Sequence, residues 1–158
     1  MNRSFFLDTS ALVKLYHQEI GTEQVEAIFQ QEANPLFISE LAIVELYSML
    51  ARKVRTEEIS LQAQKEAQQN FEEDRVHRFV VHPLGSAIIQ RAKELIQNHG
   101  NTKALRSLDS LQLGTCLAVR TGDDLIFVCA DTRLLDVAKL EGLHVLNPEA
   151  PSVSVPKE

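Results

Sequence analysis

Ser4-Phe5-Phe6-Leu7-Asp8-Thr9-Ser10-Ala11-Leu12 holds the decision about the fold. The apolar run Phe5 to Leu7 does not alternate with polar residues, which is the pattern of a strand covered on both faces. It stops at an aspartate, and Thr9, Ser10, Ala11 and Leu12 then open a helix. Leu125 to Val128 repeats the arrangement, passing through Cys129-Ala130 to Asp131 and on to Thr132-Arg133-Leu134-Leu135. Between these stretches, Asp109 sits near the start of an apolar helix spanning Ser107 to Val119. In an open α/β sheet, strand ends of this kind gather at the carboxyl edge, where ligands bind.

Five short apolar runs read as buried strands: Phe5 to Leu7, Leu36 to Ile38, Phe79 to Val81, Leu125 to Val128, and His144 to Leu146. Helical segments separate them. Ser10 to Gln18 and Thr22 to Gln31 fill the first gap, and Ser39 is placed to cap a helix reaching about Lys53. Thr56 is expected to cap the next helix, whose narrow stripe is Ile59, Ala63, Ala67 and Phe71. Ala87 to Asn98 carries a fuller stripe, with Gly100 as its expected stop signal. Leu105 to Arg120 and Thr132 to Leu140 complete the set. Strands alternating with helices imply an α/β domain with a central, mainly parallel five-stranded sheet flanked by helices. The expected domain spans residues 1–147, and residues 148–158 read as a polar, proline-punctuated tail.

The chain has 158 residues, 44% of them hydrophobic and 24% charged, as in one ordinary globular domain. No apolar run approaches the ~20 residues of a membrane span. No charged segment followed by a cleavable apolar one opens the chain, so a cytoplasmic protein is expected. Cys116 and Cys129 lie within apolar segments and read as small core residues in a reducing compartment. A net charge of −6 argues against generic electrostatic binding to nucleic acid or anionic membrane. Cations bound by the acids would cancel much of that charge locally.

The acids bear two readings. Asp8, Asp109 and Asp131 each stand where a helix start favours a carboxylate, so each alone serves as a cap or dipole partner. Glu45 is harder to account for. It lies in Leu41-Ala42-Ile43-Val44-Glu45-Leu46-Tyr47-Ser48-Met49-Leu50, apolar on nearly every side, with Leu41 and Met49 one turn away on either side. Glutamate is rarely buried unless paired or coordinating. Jointly the four acids favour a hard divalent cation, Mg²⁺ or Mn²⁺, over four unrelated caps.

The same residues resemble the PIN-domain family of metal-dependent ribonucleases, and within it the VapC-type toxins of prokaryotic toxin–antitoxin pairs. Phe5-Phe6-Leu7-Asp8-Thr9-Ser10-Ala11-Leu12-Val13-Lys14 is similar to the first motif of that family, and Ile38-Ser39-Glu40-Leu41-Ala42-Ile43-Val44-Glu45-Leu46 to the second. Leu105-Arg106-Ser107-Leu108-Asp109-Ser110-Leu111-Gln112-Leu113 is similar to the third, and Phe127-Val128-Cys129-Ala130-Asp131-Thr132-Arg133-Leu134-Leu135 to the fourth. The resemblance reaches to Leu146 and implies a PIN-like fold. It also implies that Asp8, Glu45, Asp109 and Asp131 form the catalytic cluster, with Asp8 and Asp109 as direct Mg²⁺ (or Mn²⁺) ligands. Cleavage of single-stranded RNA, a homodimer, and an antitoxin whose tail covers the site follow from it as expectations. Cys129 departs from the Thr or Ser often found two residues before the fourth acid, and a thiol is a poorer hydrogen-bond partner for supporting Asp131.

Four neighbours complete the expected site. Thr9 and Ser10 follow the first acid and are candidates to orient it or its ion, against ordinary helix-start bonding. Lys14, one turn beyond Ser10, is a candidate phosphate contact, against a solvated lysine. Arg106 is a candidate partner for Glu45 or for substrate. The five histidines lack paired helical spacing of the zinc-protease kind, no nucleophile elbow surrounds Gly85-Ser86, and there is no glycine-rich phosphate loop. Two rival functions stay open. One is a degenerate PIN-like interaction module without catalysis. The other is an aspartate-nucleophile phosphatase built on Asp8, weakened because Ser10 stands where that chemistry wants a second acid.

Overall fold

A computed structural model describes residues 3–151. Its centre is a five-stranded sheet of β1 (Ser4–Leu7), β2 (Leu36–Ser39), β3 (Val80–His82), β4 (Leu125–Val128) and β5 (His144–Leu146). The order across the sheet is β3-β2-β1-β4-β5 and every pairing is parallel, so the mainly parallel sheet expected is wholly so. The chain lays strands outward on one side of β1, then returns to lay β4 on the other. That reversal makes the β1–β4 boundary the switch point of the sheet, where a crevice opens at the carboxyl ends. Phe6 is level with Phe127 and Leu7 with Val128. The amide of Asp8 donates to the Val128 carbonyl at 3.0 Å, carrying the pairing one residue past β1.

Among the described residues, seven α-helices cover both faces: α1 (Thr9–Leu12), α2 (Thr22–Phe29), α3 (Glu40–Arg55), α4 (Leu61–His77), α5 (Ser86–Lys103), α6 (Ser107–Val119) and α7 (Thr132–Leu140). Alternation along β1 splits the apolar interior into two cores. Phe5 and Leu7 join Leu36, Ile38, Leu46, Leu50 and Phe71 on one face. Phe6 joins Phe127, Leu95, Leu113 and Leu134 on the other. Both faces are buried from Phe5 onward, so after Ser4 the strand has no position for a polar side chain until it reaches Asp8. Among the described residues no helix is long and apolar enough to cross a membrane.

Several element boundaries depart from expectation. The helix expected over Ser10 to Gln18 is only α1 plus a 3₁₀ turn at Val13–Leu15; a tightened last turn is common where a helix ends early. Thr56 does not cap α4. It closes α3, its hydroxyl donating to the Arg52 carbonyl at 3.1 Å, a back-bond that competes with capping. Ser60 caps α4 instead, accepting from the Ala63 amide at 3.0 Å. Gly100 does not stop α5, which continues to Lys103. A helical glycine costs about 1 kcal/mol, and α5 packs along α6 for much of its length. β3 begins one residue later than expected, because Phe79 turns into the core against Phe29 and Phe71 with ring centroids 5.9 and 6.3 Å away.

After β5, Pro148 is buried, Glu149 meets Lys14, and the Ala150 carbonyl accepts from the Gln24 side chain at 3.3 Å. The rest of the expected tail, residues 152–158, lies outside the described residues. Gly21 makes this docking possible. Its φ is +90°, and a Cβ there would sit 2.7 Å from the Pro148 carbonyl oxygen. Gly21→Ala therefore combines left-handed strain with a backbone clash, and it is expected to lower stability by about 2 kcal/mol in denaturant melts.

Candidate metal centre

All four predicted acids come to the carboxyl edge of the sheet around the switch point. Asp8 follows β1 and Asp131 follows β4, while Glu45 and Asp109 reach in from α3 and α6. Asp8 is only 6% exposed. It stands at the N-cap of α1, yet its side chain makes no capping bond. Its Oδ2 instead accepts from the Ser10 hydroxyl at 2.8 Å and from the Cys129 thiol at 3.2 Å. Burial pushes the Asp8 carboxyl up to about 6; the Glu45 charge adds to the rise, and the Ser10 and Cys129 bonds oppose it.

Asp131 serves both its readings. Its Oδ1 caps α7, accepting from the amides of Arg133 at 2.9 Å and Leu134 at 3.4 Å. Its Oδ2 turns toward Arg106 at 3.5 Å, and the same guanidinium donates to Asp109 Oδ2 at 3.0 Å. Arg106 was expected to pair with Glu45 or with substrate. It spans Asp109 and Asp131 instead, because it occupies the N-cap position of α6 with Asp109 in the following turn. These two charges, with a smaller contribution from Asp8, hold the guanidinium even more firmly protonated than usual.

Among the described residues, Glu45 has no arginine partner. Its Oε1 accepts from the Thr9 hydroxyl at 3.0 Å and from the Gln112 side-chain amide at 2.8 Å. Of the two hydroxyls after the first acid, Thr9 thus steadies Glu45 and Ser10 steadies Asp8. Ser10 also accepts from the Ala130 amide at 3.0 Å, tying the start of α1 to the loop after β4. The Cys129 sulfur accepts from the Asp131 amide at 3.3 Å, so the thiol takes the place in which a hydroxyl was expected.

Lys14 is neither a solvated lysine nor a member of this cluster. It is 1% exposed, and its Nζ donates to Glu19 at 2.9 Å, to the Ile20 carbonyl at 2.7 Å and to Glu149 at 2.7 Å. α1 ends so early that the residue expected to face phosphate turns into the fold.

Two participants escaped sequence reasoning. Gln112 is one turn beyond Asp109 on α6 and 1% exposed; its signal was a polar amide between Leu111 and Leu113. Arg133 lines a small cleft together with Lys103, Arg106, Asp109 and Asp131, and nothing in its local sequence separates it from a solvated arginine.

Among the described residues, no three acidic, His or Cys side chains stand close enough to grip one ion as they are. The donor set nevertheless suits Mg²⁺ or Mn²⁺, which want hard oxygen and, for Mg²⁺, one or two carboxylates with water filling the rest. Oδ1 of Asp8, Oδ1 of Asp109 and Oε2 of Glu45 take part in none of the bonds described. A desolvated carboxylate with no cation in contact is a place where added positive charge is favourable.

The PIN domain family matches residues 5–140 of the chain. FitAcB from Neisseria gonorrhoeae superposes with a TM-score of 0.65 at 15% identity, covering 91% of this chain and 97% of that one. A toxin–antitoxin complex from Klebsiella pneumoniae gives 0.58 at 20% identity, with 90% and 96% coverage. VapC20 from Mycobacterium tuberculosis, a sarcin-ricin-loop-cleaving toxin, gives 0.56 at 15% identity, with 72% and 82% coverage. No curated protein matches the sequence.

Asp8 carries a folded-state pKa of about 6 against an ordinary 3.8. The native state therefore binds this proton more tightly than the unfolded state, and stability is lost as pH rises through that interval. Asp8→Asn is expected to melt higher than the unsubstituted protein at pH 7.5 without divalent ions, by about 3 kcal/mol. The advantage should fade toward pH 4. Lys14→Met should cost about 3 kcal/mol in urea melts by stripping a buried charge network. Any RNA affinity, and its dependence on salt, should stay unchanged.

Proposed function

The chain belongs to the PIN domain family, and on that premise we propose that it is a Mg²⁺- or Mn²⁺-dependent endoribonuclease, the toxin of a type II toxin–antitoxin pair. The observation that carries the proposal is the buried Asp8 carboxyl, raised to about 6, in the neighbourhood of Glu45 and an Asp109–Arg106–Asp131 bridge. Such a site suits a divalent cation and a phosphodiester better than it suits an isolated protein. That a toxin–antitoxin complex from Klebsiella pneumoniae and a sarcin-ricin-loop-cleaving toxin share the fold supports the biological setting.

Asp8 and Asp109 hold the ion in this proposal, and Glu45 and Asp131 complete the acidic pocket. When bound, a divalent cation acidifies water and offsets charge developing on the phosphoryl oxygens. Thr9 and Ser10 keep Glu45 and Asp8 from turning away, the first through Oε1 and the second through Oδ2. Glu45 keeps Oε2 to take the proton of an attacking water. Arg106 exchanges its two aspartates for a substrate phosphate, a planar fork suiting either. Single-stranded RNA is the substrate, because splayed loops expose a phosphodiester that a cleft can enclose. The protein acts in the cytoplasm as a homodimer, and an antitoxin tail covers the cleft.

Incubation with total cellular RNA, with and without Mn²⁺, should yield new ends only when the metal is present. Asp8→Asn should reduce that cleavage by at least about 100-fold, although it is expected to melt higher in metal-free buffer. Cleavage at the unsubstituted rate by Asp8→Asn removes the proposal.

A further inference from the structure

Gln112 is fully enclosed and makes an unusual use of its amide. Both of its Nε2 hydrogens are spent inside the cleft, one on Thr9 Oγ1 at 2.9 Å and one on Glu45 Oε1 at 2.8 Å. Among the described residues, its buried carbonyl, Oε1, meets no hydrogen-bond donor. Turning the amide over would bring that carbonyl against the Glu45 carboxylate, oxygen to oxygen, so the orientation is forced. An apolar residue between Leu111 and Leu113 would fill the space and leave no orphaned acceptor. Proteins tolerate such a defect mainly where a site requires it.

We infer that Gln112 is a positioning residue for Glu45. The inference rests on the nuclease proposal for its purpose, though not for its geometry. Glu45 reaches the cleft from α3 on three rotatable bonds, and α3 itself supplies none of its partners. Gln112 from α6 and Thr9 from α1 both donate to the same oxygen, Oε1, and this leaves Oε2 as the atom available to chemistry. Gln112 also donates to the Thr9 hydroxyl, orienting that hydroxyl's own proton toward Glu45. Three elements from opposite parts of the sequence are thereby pinned to one another beneath the acids. Asp109 lies three residues earlier on the same helix, so the amide also relates the third acid to the second.

The test combines kinetics with a measurement that needs no catalysis. Gln112→Leu removes an orphaned acceptor but also two donated hydrogen bonds, so its melting temperature should stay close to that of the unsubstituted protein. Its kcat for Mn²⁺-dependent RNA cleavage should fall by roughly 10- to 100-fold with KM unchanged. Gln112→His, which keeps a side-chain N–H, should recover much of the loss. Independently, the Gln112 side-chain amide protons, followed by ¹⁵N NMR in metal-free protein, should exchange slowly with solvent. They should shift and exchange faster in Glu45→Gln. Fast exchange in the unsubstituted protein, or no response to Glu45→Gln, overturns the inference whether or not the protein cuts RNA. Activity loss in Gln112→Leu that tracks a lowered melting temperature overturns it as well. A normal NMR result with no cleavage by any form leaves the positioning inference standing and removes the nuclease reading instead.

Discussion

A carboxylate placed in a low-dielectric interior either loses its charge or recruits compensation, and Asp8 is where this fold confronts that constraint. The strand that delivers it is covered on both faces, so its end cannot reach bulk water without leaving the sheet. The pairing of β1 with β4 then brings a second acidic loop alongside, and Glu45 adds a further negative charge. Two hydrogen bonds to Oδ2 soften the penalty without cancelling it, since the carboxyl still rises to about 6. The remaining polar contacts of the cleft follow from this excess of negative charge. Arg106 neutralises the Asp109–Asp131 side, while neutral donors alone support the Asp8–Glu45 side.

That division has chemical meaning. The neutral donors Ser10, Cys129, Thr9 and Gln112 each take one oxygen of a carboxyl and leave its partner oxygen outside these bonds. Such an arrangement fixes direction without consuming charge, which is what a site needs if a cation is to enter later. A lysine in the same position would have stabilised the empty cleft and competed with the ion. Lys14, the nearest candidate by sequence, is instead committed to Glu19, Ile20 and Glu149, where it fastens the segment after β5 to the loop before α2. Cys129 fits the same logic. Its sulfur receives the Asp131 amide while its proton goes to Asp8, so one weak donor and acceptor bridges two of the four motifs.

Much of the fold was legible from local pattern. The unalternating runs at Phe5, Leu36 and Leu125 declared buried strands, since only doubly covered strands dispense with polar positions. The runs at Phe79 and His144 were expected to be buried too, but they form the sheet edges β3 and β5, which a neighbouring strand flanks on one side only, and Val80 and His144 are exposed. Ser39 and Asp131 announced helix starts by residue type, and both cap as expected. Errors fell where local preference is weak. Thr56 and Ser60 are both acceptable caps four residues apart, and which one wins depends on where α3 runs out. Gly100 is a plausible stop until the packing of α5 along α6 outweighs its cost. The four acids stood out in the sequence as candidates, but their partners did not. Arg106 and Asp109 are neighbours in any α6 helix, whereas the approach of Asp131 to the same guanidinium depends on loops 25 residues apart.

What the sequence determined by itself was the alternation of strands and helices, and the delivery of one acid by each of four separated segments. Those features are encoded in periodicity and cap chemistry, which act over a few residues. The tertiary structure decided the strand order that makes β1 and β4 neighbours, the burial that raises Asp8, and the inward turn of Lys14. It also decided that a glutamine on α6 would hold a glutamate on α3. Each of these depends on hydrogen bonds or desolvation between groups distant along the chain, and no local pattern carries the information about which distant group arrives.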